Sequence, residues 1–261
     1  MIATDLLLAI DVGNTSIAIG VYHAEKLKAT FRIATDQGNL ADEYAILLTG
    51  LLNHAGIDAE GITAAVISST VPPLTPTLQT VCRKHFGVEP LVVGTGVRTG
   101  VRVRYDNPRE VGADRILHAV AALHHHKPPL IIVDLGTALV FDAVSREGDY
   151  LGGAIAPGIG IASTALFERA AMLHRVSLER PPIESVVGRN TVHSMQSGIF
   201  YGYVEMIRGM VRRFKEEVGE DATVIATGGY AESIADDAGC FDSVDEHLNL
   251  EGLRLVYEAN R

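Results

Sequence analysis

Two segments of this sequence share one form and lie about half the chain apart. Leu7-Leu8-Ala9-Ile10-Asp11-Val12-Gly13-Asn14 is matched by Leu130-Ile131-Ile132-Val133-Asp134-Leu135-Gly136-Thr137. Each is an apolar run that reads as a buried strand. Asp-x-Gly and a polar residue follow, and then a second apolar run that reads as a returning strand. The repeat predicts two related lobes, each opening with strand–turn–strand. Against a typical domain of ~150 residues, the 261 residues allow one large domain or two modest ones. With no low-complexity linker in the chain, Pro128-Pro129 is the best boundary, giving residues 1–128 and 129–261.

Between the repeats the punctuation is that of an α/β protein. Ile17–Tyr22, Phe31–Ala34, Ala64–Ser69 and Leu91–Val93 read as strands. Leu40–Ala55 and Leu74–Phe86 have helical apolar spacing, and each stops at a glycine, Gly56 and Gly87. Pro108 suits a helix start, with the helix running to about His124. In the second half, Gly152–Gly158 reads as a strand with a glycine-rich turn. Ile161–Ala171 and Val192–Val218 read as helices, and Val224–Ala226 as a last strand before Thr227-Gly228-Gly229. Gly198 and Gly202 leave one stripe of the long helix bare, as close approach of another helix would require.

Composition excludes several classes. A net charge of −10 argues against nucleic acid as the default partner, because such binding needs clustered Lys and Arg. No apolar run approaches the ~20 residues of a membrane span. Leu6–Ile10 is too short and has no basic leader, so it is not a signal peptide. Cys82 and Cys240 have neither disulfide-scaffold nor zinc spacing. A soluble, cytoplasmic protein is expected.

Four segments carry candidate chemistry. Asp11-Val12-Gly13-Asn14-Thr15 reads either as a phosphate turn, with Gly13 letting backbone N–H groups approach and Asp11 holding a hydrated Mg²⁺, or as a plain hairpin turn. Asp134–Thr137 offers a second carboxylate and hydroxyl, and Thr227-Gly228-Gly229 a bare surface for a nucleoside. In Asp106–Arg115, Asp114 is a candidate base and Arg115 an anion clamp, with a capped helix start as the plainer reading. Gly112 costs helix propensity, which a ligand against the backbone would explain. His118 shares a face with Asp114 but reads more simply as a packed or solvated histidine. His124-His125-His126 reads as a solvated helix end, because consecutive helical residues diverge. The P-loop pattern and the dinucleotide pattern are both missing from the sequence.

Taken together, these motifs resemble type III pantothenate kinases along nearly the whole chain. The likeness rests on Asp11–Thr15, Tyr105–Pro108 leading to Gly112–Arg115, Asp134–Thr137, Gly152-Gly153 with Pro157-Gly158, Gly188–Thr191 with Ser194–Gly198, and Ala226–Gly229. It implies an actin-like fold (the acetate and sugar kinase, Hsp70 and actin class) of two ribonuclease-H-like lobes, with the active site in the interlobe cleft. It implies ATP-dependent phosphorylation of pantothenate to 4'-phosphopantothenate, the first step of coenzyme A synthesis, by a homodimer. By this likeness Asp11, Val12, Gly13, Asn14, Thr15, Ser16, Ile17 and Ala18 cradle ATP with Mg²⁺, and Thr137 contacts it. Asp134 binds a monovalent cation, K⁺ or NH₄⁺. Tyr105, Gly112, Ala113, Asp114, Arg115 and Thr191 bind pantothenate, and Asp114 accepts the proton.

Two departures stand out. Leu139 and Val140 follow Gly-Thr-Ala where the family usually has two threonines, and His118 stands where it usually has Asn. A non-catalytic, kinase-like regulator, an actin-like filament protein and another small-molecule kinase on the same fold are the competing readings. ADP release that requires pantothenate separates them.

Overall fold

The run Leu6–Val12 forms the first strand, β1, and it is apolar at every position but Asp11 because both its faces are covered. Side chains alternate along a strand. Leu8, Ile10 and Val12 therefore enter one core, while Leu7 and Ala9 enter another on the opposite face. Asp11 continues the Leu7–Ala9 face. This computed structural model describes residues 5–169, 176–178, 180–181 and 185–261.

The strand β2 (Ser16–His23) returns antiparallel to β1, and β3 (Lys26–Ala34) pairs antiparallel with β2. Next come α1 (Ala41–His54), β4 (Ile62–Ser69), α2 (Thr75–His85) and β5 (Leu91–Val92). Gly56 and Gly87 lie just past the two helices with φ of +69° and +68°, the left-handed turn for which the sequence placed them there. The sheet order is β3-β2-β1-β4-β5, with β4 parallel to β1 and β5 parallel to β4. Tyr44, Leu48 and Leu52 of α1 and Leu78 and Val81 of α2 fill the core under one face.

The opposite face is closed by α3 (Ala113–His125) and α7 (Leu248–Asn260), through Leu117, Leu250, Leu253 and Val256. These two helices are close: a Cβ at Gly252 would collide with the backbone oxygen of Leu117. Sequence reading missed α7, although Leu250, Leu253 and Val256 recur at helical spacing.

The second sheet repeats the first. It contains β6 (Leu130–Leu135), β7 (Ala138–Val144), β8 (Tyr150–Pro157), β9 (Thr223–Thr227) and β10 (Ser243–Val244), in the order β10-β9-β6-β7-β8. The strands β6, β7 and β8 form an antiparallel meander, and β9 and β10 extend it in parallel. Each sheet thus runs third-second-first-fourth-fifth in the chain order of its own strands. Its helices are α4 (Ile159–Arg169), α5 (Thr191–Val218) and α6 (Ala231–Ala238). Phe200, Tyr203, Val204 and Ile207 of α5 pack on Ile131, Val133 and Phe141. The expected end of α4 at Ala171 lies outside the described residues.

Two compact units result. One runs through Gly100 and includes Asn107–Ala121 and Leu248–Arg261; the other comprises Val101–Asp106 and Ala122–His247. A cut at 128/129 follows the chain, whereas the units exchange segments across it. Three expectations change in detail. Pro108 opens a 3-10 turn, Pro108–Glu110, capped by Asn107, and the α-helix starts only at Ala113. Gly112 therefore precedes the helix and costs it nothing. Along α5, a Cβ at Gly198 or Gly202 would meet nothing within 4 Å among the described residues, so no other described helix approaches the bare stripe. Cys82 and Cys240 are free, and burial raises both thiols, that of Cys82 to about 12.

Candidate active site

In the first unit the hairpin between β1 and β2 is pinned from several sides. The N–H of Gly13 donates to the carbonyl of Ser16 at 3.1 Å. The Thr35 hydroxyl donates to the Gly13 carbonyl at 2.6 Å, and both the N–H and hydroxyl of Thr70 donate to the carbonyl of Val12. The Gly13 amide is thus spent inside the turn. Asn14 and Thr15 are exposed, Ser16 and Ala18 are half-buried, and Val12 and Ile17 point into the core. Thr35 and Thr70 escaped sequence reading because an isolated threonine in a strand or turn carries no pattern.

Asp11 faces the layer made by α3 and α7. Its Oδ2 accepts a hydrogen bond from the Asn249 amide at 2.6 Å. Its Oδ1 is buried with no hydrogen-bond partner. Burial pushes the carboxyl up from its ordinary 3.8 to about 6, with Asp114 adding to the rise and Asn249, His118 and Ser68 opposing it. Asn249 gave no signal in sequence, because it stands 238 positions from its partner.

Helix α3 brings Asp114 and His118 to the same carboxylate, one turn apart on one face. The Asp114 carboxylate folds back over Gly112, where a Cβ would collide with its Oδ1. The Asp114 carboxylate is thus one reason for the missing side chain at Gly112. Arg115 and His118 are buried, so His118 is a packed histidine; Ala113 and Asp114 are half-buried. His124 and His125 end the helix in solvent, and among the described residues no cluster of metal-ligating side chains occurs.

In the second unit the matching carboxylate, Asp134, is wrapped by bare backbone. A Cβ at Gly136 would lie 3.1 Å from its Oδ1, and one at Gly228 (φ +91°) would collide with it. Thr137 is exposed, and its carbonyl lies where a Cβ of Gly158 would sit. The Tyr105 ring lies against Gly152, whose absent Cβ would come within 2.9 Å of it. Thr191 is the exposed first residue of α5, capped by Asn190, whose side chain accepts from the N–H of His193 at 2.9 Å. A cavity of about 780 Å³ opens there, lined by Arg189, Asn190, Thr191, Met195 and Leu166 among others. Leu139 packs into the core and Val140 faces the other side of the sheet, so the two departures sit as ordinary strand residues.

A five-strand sheet of this order and sense is ribonuclease-H-like, and two of them in one chain define the actin-like class. Solved structures agree in fold. They include a Baf family protein from Campylobacter jejuni (TM-score 0.55, 15% identical, covering 97% of each chain). Another is the ethanolamine utilization protein EutJ from Carboxydothermus hydrogenoformans (TM-score 0.54, 14% identical, covering 95% of this chain and 89% of that one).

Within that class the family is defined by sequence. The family model described as type III pantothenate kinase matches residues 7–213, and the chain belongs to that family. Type III pantothenate kinases of Moorella thermoacetica and Geobacter sulfurreducens are each 51% identical over 98% of this chain and their whole length. That of Brevibacillus brevis is 47% identical over the same share.

Proposed function

We propose that this chain phosphorylates pantothenate with ATP, yielding 4'-phosphopantothenate for coenzyme A synthesis. The observation that carries the reading is family membership at about half identity over nearly full length, with Asp114 and Arg115 retained. Asp114 takes the proton of the primary hydroxyl as that oxygen attacks the γ-phosphorus and the bond to the ADP oxygen breaks. Phosphoryl transfer asks mainly for positioning and charge stabilisation. Arg115 supplies a fixed positive charge from a buried site. The segment Asp11–Ala18 and Thr137 hold ATP. Tyr105, Gly112–Arg115 and Thr191 hold pantothenate, with Arg189 beside Thr191 offering a cation to its carboxylate.

Two metal sites belong to this reading. The unpartnered Oδ1 of Asp11 suits a contact through water to the hydrated Mg²⁺ carried by ATP. The Asp134 carboxylate, approached closely by the bare backbone of Gly136 and Gly228, suits a monovalent cation, K⁺ or NH₄⁺. When bound, these ions neutralise phosphate charge that a chain of net charge −10 does not. The homodimer reading is supported by the open Gly198–Gly202 stripe and by exposed Leu151, Ile155 and Val192. We place the enzyme in the cytoplasm; no helix among the described residues is long and apolar enough to cross a membrane.

The decisive assay couples ADP release to a readout, with and without pantothenate, and with potassium replaced by sodium. ADP release that requires pantothenate and falls in sodium is expected. Release indifferent to pantothenate would overturn the substrate, and no release at all would favour a non-catalytic regulator.

A further inference from the structure

Three buried polar atoms around the end of β1 have no hydrogen-bond partner: Oδ1 of Asp11, Oγ of Ser68 and Nδ1 of His118. They belong together. Strand register sets Ser68 of β4 directly beside Asp11. His118 of α3 acts on the Asp11 carboxylate electrostatically, and the Ser68 hydroxyl lies close to it without completing a hydrogen bond. Ser68 is 0% exposed and His118 5%. One orphaned atom is tolerable. Three around one carboxylate describe a small polar site, because each unpaired buried group carries its full desolvation cost.

The chemistry of the three atoms selects the occupant. An ionised carboxylate oxygen only accepts, a hydroxyl does either, and an imidazole nitrogen does one or the other according to tautomer. An anion is repelled by Asp11 and Asp114. A hard divalent cation prefers an all-oxygen shell to an imidazole nitrogen. A single water supplies two donors and two acceptors and satisfies all three atoms at once.

We propose that Ser68 and His118 hold one ordered water against Oδ1 of Asp11, and that both are positioning residues for that carboxylate. With Asn249 on Oδ2 and the water on Oδ1, the carboxylate is fixed in rotation from both sides. The inference rests on the reading of Asp11 as part of the ATP site, and the experiment separates the two.

A crystal structure of the wild-type chain should show a water within about 3.2 Å of all three atoms. Binding of magnesium–ATP, titrated without pantothenate, should weaken about 10–100-fold in Ser68→Ala and His118→Leu, the scale of one lost hydrogen bond to a charged group. His118→Asn, whose amide can reach the position of Nδ1, should recover to within about 3-fold of wild type by the same conversion. The KM for pantothenate should stay unchanged in all of them. Should His118→Leu fail to fold, Ser68→Ala carries the test, since it removes one atom. Wild-type affinity in Ser68→Ala, an Asn variant no better than the Leu variant, or no water in the crystal each overturns the proposal. Asp11→Asn is the control. If it binds ATP as wild type does, the ATP-site reading fails; if it weakens binding while the Ser68 and His118 variants do not, only the water link fails.

Discussion

The two Asp-x-Gly turns are alike in sequence and opposite in surroundings. Asp11 is enclosed by side chains that can exchange hydrogen bonds, from Ser68, Asp114, His118 and Asn249. Asp134 is enclosed by glycine backbone at Gly136 and Gly228. The difference shows how one topology, built twice, yields two kinds of carboxylate-bearing turn. One is tuned through neighbouring side chains and the other through close backbone approach. Each unit also sets a glycine against a carboxylate: Gly112 with Asp114, and Gly228 with Asp134.

Breaking this comparison starts with the largest effect. Asp114→Asn should lower kcat by about 10²–10⁴-fold, the usual worth of a positioned base, with ATP and pantothenate binding retained. A greater kcat loss in Asp134→Asn would move the decisive carboxylate to the second unit. Gly112→Ala comes next. Its Cβ displaces a movable carboxylate rather than backbone, so kcat should fall roughly 10–100-fold, as for a slightly misplaced catalytic group, while the melting temperature holds. Gly228→Ala should do the reverse. Its Cβ meets Leu135 backbone at 2.7 Å and stands at φ +91°. A loss of about 1–3 kcal/mol in urea unfolding is expected, the cost of a strained residue. Equal stability losses at the two glycines would erase the distinction.

The smallest effect concerns pH. The folded carboxyl of Asp11 titrates at about 6, above its ordinary 3.8. The folded state therefore binds this proton more tightly than the unfolded chain, so stability falls as pH rises through that interval and stays lower above it. Asp11→Asn removes the penalty. Its melting temperature should exceed wild type by a few degrees near about pH 8, and the gap should close near about pH 4. A gap that widens toward acid would show that Asp11 is not the buried, raised carboxyl described.

Much of this was legible in the sequence, for definite reasons. The repeat around Asp11 and Asp134 announced two like sheets because an apolar strand ending in Asp-x-Gly is a local signal. Gly56 and Gly87 marked helix ends because left-handed turns select glycine. What stayed hidden was non-local. Asn249 and Ser68 acquire meaning only when register and helix packing bring them to Asp11. Gly112 was misjudged because its reason is the carboxylate two residues on, which no propensity scale describes. The 3-10 turn at Pro108–Glu110 was read as helix because proline starts both. The helix α6 left little local signal because it is only 8 residues long and opens on Tyr230 with no side-chain cap.

The last helix has a consequence in time. Asn249 reaches Asp11 across 238 positions. During synthesis the first sheet emerges early, yet the side chains that complete its polar end arrive only after every residue of the second sheet has been made. Contacts of such separation form late, because the intervening chain must first be ordered. A ribosome-bound fragment ending before Leu248 would thus carry a finished sheet and an unfinished carboxylate, which is completed only when the first turn of α7 arrives.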